Sequence, residues 1–201
     1  MFFSPHLDKL TGCAIAARYL KNHLNCGMIF TEVLPFNNRE SPDAIGFRPN
    51  GLTVLMEVKV SREDFLNDKY KEFRKSPHLG MGDYRFYVCP PDIIKPEDLP
   101  EKWGLFYITP RKSLKPIVAP AQLTQLYSFA ELMAWEEQLK VKGQETPFWH
   151  QSNKDSLLPF LHEKKCVVSE MNILYGGYRK ICLASKANKP NMITEIYENP
   201  I

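Results

Sequence analysis

Asp43, Glu57 and Lys59 are the residues of this chain whose types and spacing could do chemistry together. Two carboxylates and a lysine brought to one place suit hydrolysis of a phosphodiester. The acids can hold Mg2+ or Mn2+, since Mg2+ takes oxygen ligands, commonly one or two carboxylates completed by water and substrate phosphate. The lysine can balance charge, touch the scissile phosphate or orient a water for in-line attack on phosphorus.

Whether the three can meet depends on a hairpin. Asp43 to Arg48 and Leu52 to Val60 read as strands separated by Pro49-Asn50-Gly51. Pro suits the first central position of a type I turn, Asn the second, and Gly the left-handed residue that follows. That is the three-residue loop with a G1 bulge. It sets Arg48 opposite Leu52 and Asp43 opposite Glu57, with Cβ atoms about 4.5–5.5 Å apart. A two-residue Asn50-Gly51 turn would instead set Asp43 against Val58 and part the acids by face. The turn chemistry favours the first register. Glu57 and Lys59, two apart on a strand, share a face in either case.

Pro42-Asp43 followed by Glu57-Val58-Lys59 at the end of an apolar strand resembles the PD-(D/E)XK nuclease superfamily. The series Asp43-Ala44-Ile45-Gly46, Glu57 through Phe65, and Asp68-Lys69 looks like the MmcB-type DNA-repair proteins and related phage-encoded nuclease-like proteins. Arg85 through Pro90 and Trp103-Gly104-Leu105 look like later landmarks of the same group, so the resemblance spans residues 25 to 110. It implies an α/β, restriction-endonuclease-like core with a mixed central sheet flanked by helices. The implied activity is metal-dependent hydrolysis of DNA, in repair or phage-related DNA metabolism. Asp43 and Glu57 would bind Mg2+ or Mn2+, with the Val58 carbonyl as a further ligand and Lys59 assisting catalysis. In this superfamily an acid from the first helix or its neighbourhood sometimes joins the site, and Glu32 is the nearest candidate. The helix after the motif often contributes too, here through Lys69 or Tyr70. Arg62, Lys69, Lys71, Arg74 and Lys75 give the helix after the motif a basic character suited to phosphate contacts; Arg62, Lys69, Tyr70 and Arg74 are the expected nucleic-acid contacts, and a homodimer is within what the resemblance implies. The alternative is a catalytically silent DNA-binding or protein-interaction module on the same fold.

These residues need elements to carry them. A helix is expected to open at Ser4-Pro5, with Leu7, Leu10, Ala14, Ala17, Leu20 and Leu24 as its apolar stripe and Asn25 and Gly27 closing it. Residues 28–34 read as a strand. Ser61 should cap a helix over 62–75, with Asp64 completing a variant capping box. Strands are expected at 84–89, 103–108 and 114–118. Leu123, Leu126, Phe129, Leu132 and Met133 give a helical stripe, and 153–164 another helix. Residues 1–119 are therefore read as the core and 120–201 as a mainly helical extension that could take a protein partner. Glu163-Lys164-Lys165, a second acid-x-lysine run, is set aside because in a helix its members face apart.

The bulk composition is compatible with this reading and does not demand it. The chain has 201 residues, 44% hydrophobic and 24% charged, the balance of a globular protein, and a net charge of +3 that tolerates a nucleic-acid partner. Its five cysteines form no CxxC pair and its five histidines no HExxH, which argues against zinc chemistry. Met1-Phe2-Phe3-Ser4-Pro5-His6 is too short and too quickly polar for a signal peptide, and no apolar run approaches the ~20 residues of a membrane span. Reduced thiols and a cytoplasmic address are the expectation.

Overall fold

The computed structural model describes residues 7–33 and 40–188, with side chains in the last helix to residue 183. Ser4 and Pro5, expected to open the first helix, lie outside these residues. Six strands make one mixed sheet in chain order: β1 (Met28–Thr31), β2 (Ala44–Phe47), β3 (Thr53–Val58), β4 (Tyr84–Cys89), β5 (Trp103–Ile108) and β6 (Leu114–Val118). β3, β4 and β5 run parallel to their neighbours among themselves, and the outer pairings are antiparallel. The chain is thus α/β, with helices on both faces of the sheet. Among the described residues no helix is long and apolar enough to cross a membrane.

All six residues of β3 and all six of β4 are buried, because both faces are covered. Val54, Met56 and Val58 of β3 face α1 (Lys9–His23), together with Phe86, Val88 and Phe106. Leu55, Tyr87, Cys89 and Leu105 face the other way, against Phe65 of α2 (Arg62–Asp68) and Ile173 of α6 (Val167–Asn188). Cys13, Cys26 and Cys89 pack in these layers as small apolar groups, and burial pushes their thiols up to about 12, 11 and 12.

α1 keeps the end of its expected stripe, with Leu20 and Leu24 buried, and departs from it in its first turns. Gly12, Cys13, Ala16 and Leu20 face the sheet, whereas Leu10 is 64% exposed. The reason is close approach: a Cβ on Gly12 would stand 2.5 Å from Cγ1 of Val58. Small residues at 12 and 16 let the helix axis come near β3, and hydrophobicity alone does not register that. Asp8 caps the helix, its Oδ1 accepting from the Thr11 amide at 2.8 Å, which contributes about 1 kcal/mol and starts the helix at Lys9. Asn25, at φ 54°, takes the left-handed position after the helix.

The expected helix over 62–75 is two pieces. α2 ends at Asp68, and α3 (Glu72–Lys75) begins after Lys71, which is extended at φ −65° and ψ 139°. In the C-terminal third, α4 spans Phe129–Val141, so Leu123 and Leu126 lie ahead of it. The helix expected at 153–164 is α5 (Phe148–Leu157). Residues 163–165 are irregular, which corrects the ground for dismissing Glu163-Lys164-Lys165. Those two charges are held elsewhere, Glu163 by Lys102 and Lys165 by Asp83 and Glu170.

The segment after residue 119 is seated on the sheet. Tyr84 donates its hydroxyl proton to the Tyr127 carbonyl at 2.7 Å, and the His162 amide donates to Asp83 at 2.9 Å. Leu126, Leu132, Leu157 and Leu161 lie in one core layer and Ile173 in the other. The Lys165 ammonium closes a second ion cluster with Asp83 at 2.6 Å, Glu170 at 3.0 Å and the Thr53 hydroxyl at 2.8 Å.

Candidate active site

The hairpin takes the three-residue register. Ala44 pairs with Met56 and Phe47 with Thr53. The Arg48 amide donates to Leu52 at 2.9 Å, the Gly51 amide donates back to Arg48 at 3.0 Å, and Gly51 sits at φ 79°. Carried one residue further, this register sets Asp43 opposite Glu57. The Asp43 side chain turns onto the neighbouring strand, where its Oδ2 accepts the Val58 amide at 2.8 Å. One more step sets Pro42 opposite Val58. Proline has no N–H to give, so β2 leaves the Val58 carbonyl without a ladder donor.

Around these acids lies a ring of charge that the sequence disclosed only in part. Lys59 places its ammonium 3.2 Å from Glu57 Oε1, 2.9 Å from Asp68 Oδ1 and 3.6 Å from Asp64. Lys71 reaches Glu57 Oε1 at 3.3 Å and Asp68 Oδ1 at 2.7 Å. Arg74 binds Asp68 Oδ2 through Nε at 2.6 Å and Glu40 through Nη1 at 2.8 Å, and its Nη2 lies 3.6 Å from Glu57 Oε2. Tyr87 donates to Asp68 Oδ2 at 2.7 Å. Lys9, from the first turn of α1, pairs with Asp43 Oδ1 at 3.0 Å. Four buried carboxylates, Glu40, Asp43, Glu57 and Asp68, thus face four cations, Lys9, Lys59, Lys71 and Arg74.

Burial sorts these groups. The Lys59 and Arg74 side chains are 1% and 3% exposed, whereas Lys9 and Lys71 are 44% and 42% exposed and meet solvent. Burial pushes the Glu57 carboxyl up, but Arg74, Lys59 and Lys71 outweigh it and hold the group below its ordinary value. Asp68 behaves alike, with Arg74 and Lys59 overcoming its burial. Asp43 goes the other way: burial and the nearby Glu57 charge raise it to about 6 against the pull of Lys9.

The break between α2 and α3 decides which of the helix residues take part. It turns Lys71 and Arg74 inward and leaves Lys69 and Tyr70 on the surface, Tyr70 64% exposed with Lys69 lying over its ring. Arg74, expected to meet nucleic acid, is buried over Trp103 at 4.3 Å and engaged with acids. Arg62 is held away from the site by both oxygens of Asp98. Glu32 is exposed at φ 50°; its amide donates to the Asp43 carbonyl at 3.3 Å, and its side chain borders a groove against α6. The place where an acid from the first helix was expected is held by Lys9. Asp64 caps no more than half a box: Ser61 accepts its amide at 3.1 Å, and its carboxylate turns toward Lys59.

The donors suit a hard divalent cation. Among the described residues no three His, Cys, Asp or Glu side chains converge as a metal cage. Asp43, Glu57 and the Val58 carbonyl would instead form an incomplete oxygen set finished by water and substrate phosphate, which is how Mg2+ is commonly held. Asp43 fits this use, since its ion pair is with the solvent-reaching Lys9 rather than with a buried cation.

No family model matches the chain, and no curated protein gives a significant match. Among solved structures, a protein of unknown function from Silicibacter pomeroyi aligns at 22% identity over 71% of this chain and 98% of its own, with a TM-score of 0.44.

Proposed function

We propose that this chain is a metal-dependent nuclease of the PD-(D/E)XK type, hydrolysing phosphodiester bonds in DNA during repair or phage-related DNA metabolism. The supporting observation is the cross-strand opposition of Asp43 and Glu57, with Lys59 bonded to Glu57 at 3.2 Å. Asp43, Glu57 and the Val58 carbonyl would hold the divalent cation, which when bound would supply Lewis-acid polarisation of phosphate and a water of lowered pKa. The rest falls to the chain's own side chains. Lys59, fixed between Glu57 and Asp68, orients water and offsets charge gathering on phosphorus. Lys71, half in solvent, can turn its ammonium to a non-bridging oxygen. Buried Arg74 keeps Nη2 3.6 Å from Glu57 Oε2, so its charge holds that carboxylate ionised in place.

Purified chain should nick supercoiled plasmid in Mg2+ or Mn2+ and not in EDTA. Asp43→Asn and Glu57→Gln should each lower the rate by at least about a hundredfold while keeping the circular-dichroism spectrum, the scale of losing one preorganised charge contact. Wild-type cleavage by Asp43→Asn would sink the mechanism.

A second reading has an observation of its own. Glu57, Lys59 and Asp68 are almost wholly buried and already paired, the arrangement of a structural ion network. On that reading the chain is a catalytically silent DNA-binding or protein-interaction module. DNA binding that weakens steeply with salt, without turnover of duplex or single strands, would favour it.

A further inference from the structure

Resting on the metal-dependent reading and going beyond it, we propose that Lys9 is a built-in stand-in for the divalent cation: its ammonium neutralises Asp43 in the metal-free chain and is displaced when the cation binds.

Among the described residues the cluster has four cations, and two of them are buried. Lys59 and Arg74 are 1% and 3% exposed, and each holds two of the cluster's acids, so moving either breaks several buried contacts at once. Lys71 can reach solvent but bridges Glu57 and Asp68. Lys9 differs from all three. Among the described residues its ion pair is with Asp43 alone; it is 44% exposed, and it stands at the first position of α1, where the side chain can swing outward without disturbing the helix. Asp43 in turn has only Lys9 as a cationic partner and only the Val58 amide as a hydrogen-bond donor among the described residues. Replacing Lys9 by a divalent ion therefore leaves no other acid unpaired. It also sets two positive charges rather than one against the repulsion between Asp43 and Glu57.

Gly12 is what makes the arrangement reachable. Its missing Cβ lets α1 close onto Val58, and that approach carries Lys9, one turn earlier, to Asp43. The helix of this chain so contributes a cation where an acid would have strengthened metal binding. Loading the site becomes an exchange of one cation for another, weaker than an open acidic site and reversible at modest metal concentration.

Two measurements on the full chain test this. Free Mn2+ measured by electron paramagnetic resonance gives the dissociation constant for wild type, Lys9→Gln and, as the site control, Asp43→Asn. Acetylation by a limiting amine-reactive reagent, read by peptide mass spectrometry, gives the reactivity of Lys9 with and without Mg2+, with exposed Lys69 as the internal reference. We expect Lys9→Gln to bind Mn2+ about tenfold more tightly and Lys9 to become several-fold more reactive on adding Mg2+. Binding by Lys9→Gln that is measurable where wild type shows none supports the proposal too. Equal dissociation constants, or Lys9 reactivity that is flat to saturating metal, overturn it and leave the metal site standing. Failure of both proteins to bind Mn2+ overturns it together with the metal-dependent reading.

Discussion

Asp68 was not singled out as a site residue by its spacing, yet four donors converge on it, and its replacement by asparagine has a cost that follows from the geometry. Oδ1 receives Lys59 at 2.9 Å and Lys71 at 2.7 Å; Oδ2 receives Arg74 Nε at 2.6 Å and Tyr87 at 2.7 Å. An amide has one oxygen, so in either orientation its NH2 confronts two donors. Among the described residues Arg74 Nε and the Tyr87 hydroxyl have no second acceptor, which holds the amide oxygen on their side. Lys71 can then retreat to solvent, leaving Lys59 facing an NH2 with Glu57 at 3.2 Å and the half-exposed Asp64 at 3.6 Å as its remaining acids. Removing one partner of a buried ion pair costs about 3–5 kcal/mol. At roughly 2–4 °C per kcal/mol for a chain of this size, Asp68→Asn should lower Tm by about 6–20 °C. Scanning calorimetry at pH 7.5 checks this, with a urea titration whose unchanged slope would show that the unfolded state is not the cause. Nicking by the variant, assayed well below its Tm, should also fall by more than about tenfold, because Lys59 loses the contact that fixes it. A Tm within about 2 °C of wild type would refute the claim that Asp68 organises the cluster.

Two further outcomes follow from the charges. Burial and Glu57 raise Asp43 to about 6, above its unfolded value near 4; the native state therefore binds more protons between these values, and Asp43 erodes stability as pH climbs through that window. A divalent cation requires the unprotonated carboxylate, so saturating Mg2+ should raise Tm more at pH 7.5 than at pH 5, and equal gains at both would contradict the assignment. At the other end of β3, Lys165→Met strands Asp83 and Glu170 and should cost about 3 kcal/mol in a urea titration. It should leave the nicking rate of the folded protein unchanged, since Thr53 and Glu57 are ~13 Å apart at ~3.3 Å per residue.

The strands were the legible part of the fold, and the reason is local. β4, β5 and β6 fall at 84–89, 103–108 and 114–118 as their β-branched, aromatic and apolar runs and flanking prolines require. The Pro49-Asn50-Gly51 turn carries its own register, so the opposition of Asp43 and Glu57 could be counted before any contact was seen. Helix phase was less legible. A stripe chosen by hydrophobicity turned α1 outward at Leu10, because the sheet selects Gly12 and Ala16 for closeness, which is a tertiary demand. α6 passed unread because its outer face carries Val167, Val168, Met171, Tyr175 and Tyr178, all at least half exposed, so no polar face marks its period.

The same distinction explains what was missed in the site. Asp43, Glu57 and Lys59 lie on a hairpin whose geometry is written in consecutive residues. Lys9, Asp68, Lys71 and Arg74 reach them only through the close approach of α1 and the break at Lys71, and neither is a matter of composition. A basic helix face at 62–75 pointed to phosphate contacts at Arg62, Lys69 and Arg74 because a continuous helix was assumed. Once the helix breaks, the charges divide by environment. Arg62 and Lys69 stay on the surface, while Arg74 loses its solvent and must find acids, which Glu40, Glu57 and Asp68 supply. Glu40 and Asp68 join Asp43 and Glu57 only through the fold, which buries all four. Buried carboxylates in that number require cations of equal number nearby, so a motif read as two acids and one lysine was already short of partners.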